Sequence, residues 1–341
     1  MSRARAYLDE VVVRAPARPV TTFAPSSLES LQVAEFNIER GMAFESIDRL
    51  LTRCESFGGR ACEIARADLL LLVETDEGVC RTGYRAVAEE LAETMDYHVA
   101  YATEFIELQP ELLGGGAQAR AAGADCERFD ARRVRNRHGD AILSRYPIRR
   151  AERIALPTCY DWFEAEISRQ STVSGWMLPP QPRRGERIAL LAEIELPSGS
   201  SVIVINAHLE NKSDGACRAL QMERILDVLR QEQRDGHTPV ILGGDWNTTN
   251  FNGGTWNPLR LPTREPLFAA LEAEGFDLSA NDGRTTMVGA LASRVLSRVD
   301  YLSARGFCGP ATQAYTHVEL AQARPLLSDH LPISASFHLC D

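Results

Sequence analysis

Gly243-Gly244-Asp245-Trp246-Asn247-Thr248 closes an apolar run that starts at Val240, and about eighty residues later Leu327-Ser328-Asp329-His330-Leu331-Pro332 leads into an alternating run. An Asp-x-Asn at a strand end can position a water, and an Asp-His pair at another strand's mouth can trade protons. Either stretch alone also suits a turn, since Asn and Asp bond readily to their own backbone. The choice between these readings rests on four further strand ends in a consistent order. They carry Glu35-Phe36-Asn37-Ile38, Leu72-Val73-Glu74, Asn206-Ala207-His208-Leu209-Glu210 and Arg298-Val299-Asp300-Tyr301.

Between these stretches strand and helix signals alternate, which predicts layered α/β packing. Residues 33–38 read as a short strand, 44–54 as a helix, and 68–73 as an apolar strand buried on both faces. Tyr84, Val87, Ala88, Leu91 and Met95 recur at helical spacing. Residues 97–103 and 141–144 read as strands, joined by a Gly/Ala-rich and then charged connection over 114–137. Residues 188–196 and 201–209, split by Pro197-Ser198-Gly199, form a hairpin pattern. Helices are expected over 216–229 and 267–274, and a buried strand over 240–243. Leu331, Ile333, Ala335 and Phe337 alternate with polar residues, as in a half-exposed strand. No repeat or linker divides the chain, so residues 31–341 read as one catalytic domain behind a proline-containing N-terminal arm, 1–30.

The 341 residues have ordinary globular composition and a net charge of -10. That charge argues against holding polyanions over the whole surface, but a cation and a few local arginines can reverse the potential in one cleft. Arg132, Arg133, Arg135 and Arg137 form a basic run that reads first as a solvated loop. No apolar run reaches membrane-spanning length, and the first residues lack the apolar core of a secretory signal, so the expected location is cytoplasmic. Eight cysteines are scattered without a C-x-x-C pair and read as mostly buried, reduced thiols.

The six segments resemble, in order, those of the endonuclease/exonuclease/phosphatase family, over about residues 33–337. The pattern is nearest to the DNase I, sphingomyelinase and tyrosyl-DNA phosphodiesterase branches, which share the His-Leu of His208-Leu209. The resemblance implies an α/β fold: a four-layer α/β sandwich, two packed mixed β-sheets flanked by helices. It also implies hydrolysis of a phosphate ester with a divalent metal, usually Mg2+, with Mn2+ as an alternative.

Carried over residue by residue, the resemblance makes Glu74 the principal metal ligand, assisted by Asn37 and Asp329. Mg2+ suits such a site because it takes oxygen ligands, retains several waters and needs few carboxylates. Asp245 orients or deprotonates the attacking water, and Asn247 fixes geometry without adding charge. His208 and His330 face the scissile phosphate; Asp300 orients His330, and Glu104 does the same for His208. Gly243-Gly244 is expected to leave room for substrate to approach the backbone. Asp76 reads as a supporting or loop residue.

The chain departs from the pattern in Gly139-Asp140-Ala141-Ile142-Leu143-Ser144-Arg145, where Asp140 stands in place of the usual asparagine. A further negative charge there is unfavourable near phosphate unless it points away or is compensated. Trp162, Phe163, Trp176, Phe251 and Trp256 occur in segments suited to contacting a base or lipid, and equally suited to anchoring loops. The expected activity is that of a phosphodiesterase on nucleic-acid-type or small phosphodiesters. The alternatives are a phospholipid substrate, as in sphingomyelinases, a phosphomonoester substrate, and a non-catalytic phosphate-binding scaffold.

Overall fold

The computed structural model describes residues 8–17, 29–108, 132–170, 180–232, 238–248, 251–252, 255–256, 265–281, 284–288, 298–308 and 314–340. Two mixed sheets stack face to face. The larger has the order β1 (Val11–Arg14), β4 (His98–Glu107), β5 (Arg137–Ser144), β3 (Leu69–Glu77), β2 (Ser30–Arg40), β15 (Ile333–His338), β14 (Tyr315–Thr316), with β7 (Arg183–Gly185) also on β4. The smaller runs β13 (Asp300–Arg305), β10 (Val240–Asp245), β9 (Ser201–Ala207), β8 (Ile188–Glu195), β6 (Ile148–Ala155). A two-stranded ribbon joins β11 (Phe251–Asn252) to β12 (Thr255–Trp256).

Side-chain alternation along the strands builds three apolar layers. Leu69 and Leu71 of β3 meet Leu190, Val202, Val204 and Ile241 of the smaller sheet in the central layer. Leu70 and Leu72 face the other way, onto Ile47 and Leu50 of the helix Phe44–Thr52 and Val87 and Leu91 of the helix Val87–Met95. Ile203, Ile205 and Leu242 likewise pack against Met222, Ile225 and Leu226 of Gly215–Glu232 and Leu267 and Leu271 of Pro266–Ala273. A period of two on the strands and an apolar stripe on each helix therefore produce a four-layer sandwich of two mixed sheets flanked by helices.

Topology brings the polar segments to one edge. Strands β2 and β3 are parallel, as are β9 and β10, so all four end there. Strand β13 runs antiparallel to β10 and starts at the same edge, with Asp300 opposite Asp245. His330 just precedes β15, whose Ile333 lies opposite Glu35.

Several expectations need correction. The cysteines are not reduced thiols: Cys54–Cys62, Cys159–Cys217 and Cys308–Cys340 are disulfides, Cys80 is also disulfide-bonded, and no described cysteine is free. The paired cysteines lie 8, 58 and 32 residues apart, and spacing alone does not reveal which approach in space. The segment expected as an arm contains β1, which pairs with β4 at the sheet edge. Strand β15 is largely buried rather than half-exposed, because Ser334 is bonded to His317 and Glu63. Gly244, at φ 125°, meets protein and not an open approach: a Cβ there would lie 2.2 Å from the Ala207 carbonyl oxygen. At Gly243 a Cβ would lie 2.7 Å from Leu302, so both glycines serve close packing around β10.

Candidate functional site

Asp245 ends β10 in a buried position. Its Oδ2 accepts a hydrogen bond from Asn37 Nδ2 at 3.0 Å, and its Oδ1 accepts one from the Asn247 backbone N–H at 2.9 Å. The same Oδ2 lies 3.9 Å from His208 Nε2 and 3.9 Å from His330 Nε2. One carboxylate oxygen is therefore bracketed by an amide and two imidazoles. Burial, and then the charge of Asp300, push Asp245 up to about 6, against the opposing pull of His330 and His208.

Each histidine has its own carboxylate behind it. Asp300 Oδ2 lies 2.9 Å from His330 Nδ1, and the Ser328 hydroxyl accepts the His330 backbone N–H at 3.0 Å. Burial alone would favour the neutral His330 ring, but Asp300, followed by Asp245 and Asp329, raises it well above its ordinary value. His208 Nδ1 lies 3.2 Å from Glu104 Oε2. Arg187 Nη1 donates to Glu104 Oε1 at 2.8 Å and lies 2.9 and 2.8 Å from the two His208 ring nitrogens, so it sits against the ring. Burial and Arg187 favour neutral His208; Glu104 and Asp140 outweigh them and raise it. The same burial would raise Glu104, yet Arg187 and His208 hold it down at about 2.

Asp140 is wholly buried. Its Oδ1 accepts the Glu74 backbone N–H at 3.4 Å, and its Oδ2 has no partner among the described residues. Burial and the neighbouring Glu104 push it well above the carboxylate range. His208 and Arg187 pull the other way, so the acid at this departure has two cations as well as a like charge for neighbours.

The metal expectation falls on a second corner. Glu74, Glu39 and Arg40 all take left-handed backbone angles, φ 57°, 48° and 67°, at an irregularity in the β2–β3 pairing. Asn247 does so too, at 49°. Such strained non-glycine residues tend to gather at functional sites. Arg40 Nη1 lies 3.8 Å from Glu74 Oε2. Burial would raise Glu74, but Arg40, His138, His208 and Arg183 hold it far below the carboxylate range. Glu39 is raised to about 7 by burial and by Asp329, with Glu74 adding to the effect. Glu39, Glu74 and Asp329 therefore share one negatively charged rim, without closing into a tight cluster among the described residues. This hard-oxygen, like-charged environment fits a divalent cation that keeps part of its water.

Asn37 stands at the boundary between the corners. Besides donating to Asp245, its Oδ1 accepts the Glu39 backbone N–H at 3.1 Å. The tight His/carboxylate clusters among the described residues are Glu104–Asp140–His208 and Asp245–Asp300–His330; the Glu74 rim is more open.

Sequence reading missed Glu39, whose position just beyond Asn37 was the available signal, and Arg187, whose signal was weak in a charged pre-strand stretch. Nor did the strand pattern disclose the part played by Asn206, whose Nδ2 donates to the Leu72 and Ala141 carbonyls at 2.8 and 3.0 Å and so ties the two sheets together beneath the site. Asp76 is buried, not a loop residue, and accepts a two-pronged bond from Arg81. Trp162 is a buried anchor whose indole N–H donates to Glu210. Trp176 and the side chains of Phe251 and Trp256 lie outside the described residues.

No curated protein sequence matches the chain. Solved structures do resemble it. An endonuclease/exonuclease/phosphatase from Beutenbergia cavernae is 17% identical with a TM-score of 0.55, covering 91% of this chain and 72% of that one. The human Nocturnin catalytic domain, solved with a bound sulfate anion, is 15% identical with a TM-score of 0.55 and full coverage of both, 100% and 100%. Truncated Caenorhabditis elegans TDP2 is 16% identical with a TM-score of 0.50, covering 91% and 97%. At these identities the likeness establishes the fold. The sequence profile of the Endonuclease/Exonuclease/phosphatase family matches residues 34–330, which includes every segment that builds the site. The chain belongs to the Endonuclease/Exonuclease/phosphatase family.

Proposed function

We propose that the chain is a divalent-metal-dependent phosphodiesterase acting on nucleic-acid-type or small phosphodiesters. The observation that carries this reading is Asp245: a buried carboxylate raised to about 6, with a carboxylate-backed histidine on each side. A base tuned this way can take a proton from water near neutral pH. Asp245, steadied by Asn37 and the Asn247 backbone, orients and deprotonates the attacking water. His208, held by Glu104, and His330, held by Asp300, stabilise the phosphate oxygens, and His330 delivers a proton to the leaving oxygen. Asn247 keeps the geometry of the loop through its bond to the Leu209 carbonyl at 2.9 Å. Glu74, Asp329 and Glu39, with Asn37 beside them, would hold the cation, Mg2+ or Mn2+, which when bound supplies positive charge to the phosphate.

The sulfate recorded in the Nocturnin catalytic domain supports a site for tetrahedral anions in this fold. The test is a turnover screen with Mg2+ or Mn2+ over phosphodiesters, phosphomonoesters, single- and double-stranded nucleic acids and sphingomyelin. Metal-dependent cleavage of the diesters is expected. Binding of phosphate ligands without any turnover would favour the scaffold reading.

The disulfides favour work in an oxidising compartment over the cytoplasm, since such bonds persist where thiols are not kept reduced. No helix among the described residues is long and apolar enough to cross a membrane. Thiol titration of the protein from its native source, denatured without reductant, should find the described pairs closed; open pairs would return the reading to the cytoplasm.

A further inference from the structure

Behind Glu104, on the side away from His208, lies a wholly buried histidine that the mechanism above leaves unused, His138 near the start of β5. Strand pairing sets it opposite Asp76 of β3 and Phe105 of β4. The β4–β5 register shifts between Thr103 and Phe105, so Glu104 is the extra residue of a bulge beside His138. Bulges of this kind re-aim a side chain.

The two ring nitrogens of His138 have different surroundings. Nδ1 lies 3.0 Å from Asp76 Oδ1, and Arg81 donates to the same carboxylate at 2.7 and 2.9 Å. With Asp76 accepting from Arg81, Nδ1 is the nitrogen that donates, and the ring plane is fixed. Nε2 points the other way, 3.9 Å from Glu104 Oε2, and has no hydrogen bond among the described residues.

Glu104 divides its two oxygens in the same manner. Oε1 accepts Arg187 Nη1 at 2.8 Å, while Oε2 has no hydrogen bond among the described residues and lies between His208 Nδ1 at 3.2 Å and His138 Nε2 at 3.9 Å. One carboxylate oxygen thus stands between two imidazoles. A buried ring nitrogen without a partner costs about 1–3 kcal/mol, so a histidine serving only to join β5 to β3 would be expected to have both nitrogens bonded. His138 also adds to the pull of Arg187 and His208 on Glu104, against the burial that would raise it.

We propose that His138 is a positioning residue for the phosphodiesterase reaction: its Nε2 steadies Glu104 Oε2 and, through that oxygen, the orientation of His208 toward the phosphate. The inference rests on the reading of His208 as a phosphate-stabilising group.

The test separates the two nitrogens in the whole protein. His138→Asn keeps a donor for Asp76 and deletes the atom that faces Glu104, whereas His138→Gln keeps a polar atom near the Nε2 position. Ring 15N spectra come first, because they need no turnover. The His208 Nδ1 signal should move in His138→Asn and return toward its wild-type position in His138→Gln. Should His138→Asn fail to fold, Glu104→Gln takes its place, and there the His208 Nδ1 and His138 Nε2 signals should move together. Unmoved His208 signals in folded His138→Asn, with or without a loss of stability, would overturn the proposal, as would a His138 signal indifferent to Glu104→Gln.

Turnover of an activated phosphodiester with Mg2+ gives the second readout. In His138→Asn kcat should fall by about tenfold with KM little changed, and His138→Gln should recover most of the loss. Added to Glu104→Gln, His138→Asn should cause little further fall. A full tenfold loss in that background would also overturn the proposal, because the two residues would then act separately. Absence of diester turnover in the wild type would count against the phosphodiesterase reading, and the ring spectra would still decide whether His138 acts on His208.

Discussion

His330 Nδ1 and Asp300 Oδ2 lie 2.9 Å apart, with Asp300 wholly buried and His330 only 8% exposed. The pairing of β10 with β13 fixes this contact, because it sets Asp300 opposite Asp245 and leaves His330 to bridge them. The ring is held by one nitrogen and offers the other to the site. That is the arrangement by which an aspartate selects a tautomer and raises a histidine's basicity.

If the two act as one unit in turnover, Asp300→Asn and His330→Ala should lower activity to similar levels, and the double variant should fall little further. Asp300→Asn should also lower the His330 pKa, since the aspartate is the leading cause of its rise. Turnover of the three variants across pH checks both. Multiplicative losses with an unmoved histidine limb would show that the residues work independently.

Asp245→Asn should cut turnover by about 10²–10⁴-fold with substrate binding retained, because it removes a base without removing volume. In the wild type the raised pKa means that the carboxylate form, and with it activity, grows as pH rises through about 6. A kcat/KM profile measured from pH 4 to 9 at fixed saturating metal checks the sign. A plateau already complete at pH 5 would remove Asp245 as the base.

Glu74→Gln should weaken activation by Mg2+ or Mn2+ by at least about tenfold while the protein remains folded, and Glu39→Gln should do so to a smaller degree. The motive is the like-charge influence of Asp329 and Glu74 on Glu39 at one rim. Metal titrations of activity and circular dichroism of each variant provide the measurement. An unchanged titration in folded Glu74→Gln would place the cation elsewhere.

Gly244→Ala should cost more than about 3 kcal/mol, combining a left-handed backbone with a clash against backbone. Gly199, also at positive φ (83°) but with nothing within 4 Å of a Cβ, serves as the control and should cost about 1 kcal/mol. Denaturant unfolding of both variants tests the comparison. Equal costs would mean that the Ala207 contact yields readily.

The polar strand ends were legible in sequence because each breaks an apolar run abruptly: Glu74 after Leu69–Val73, Asp245 after Val240–Leu242, and His208 after Val202–Ile205. The strand Ile148–Ala155 was not, since three of its eight residues are arginines and its position at the sheet edge leaves it little apolar patterning. Glu39 and Arg187 escaped notice for a related reason. Their roles depend on neighbours distant in sequence, Asp329 for one and Glu104 for the other.

Periodicity by itself determined the layered α/β packing, and the ordered resemblance of the strand-end segments to the family supplied the set of candidate groups, because both are read along the chain. Tertiary structure alone decided how those groups share protons and charge. Asp245 is raised because burial and Asp300 act on it together, Asp140 is raised because it lies buried beside Glu104, and the cysteines are paired because separate segments bring them into contact. Desolvation and Coulomb forces act through space, so their outcome is set by the neighbours that folding supplies.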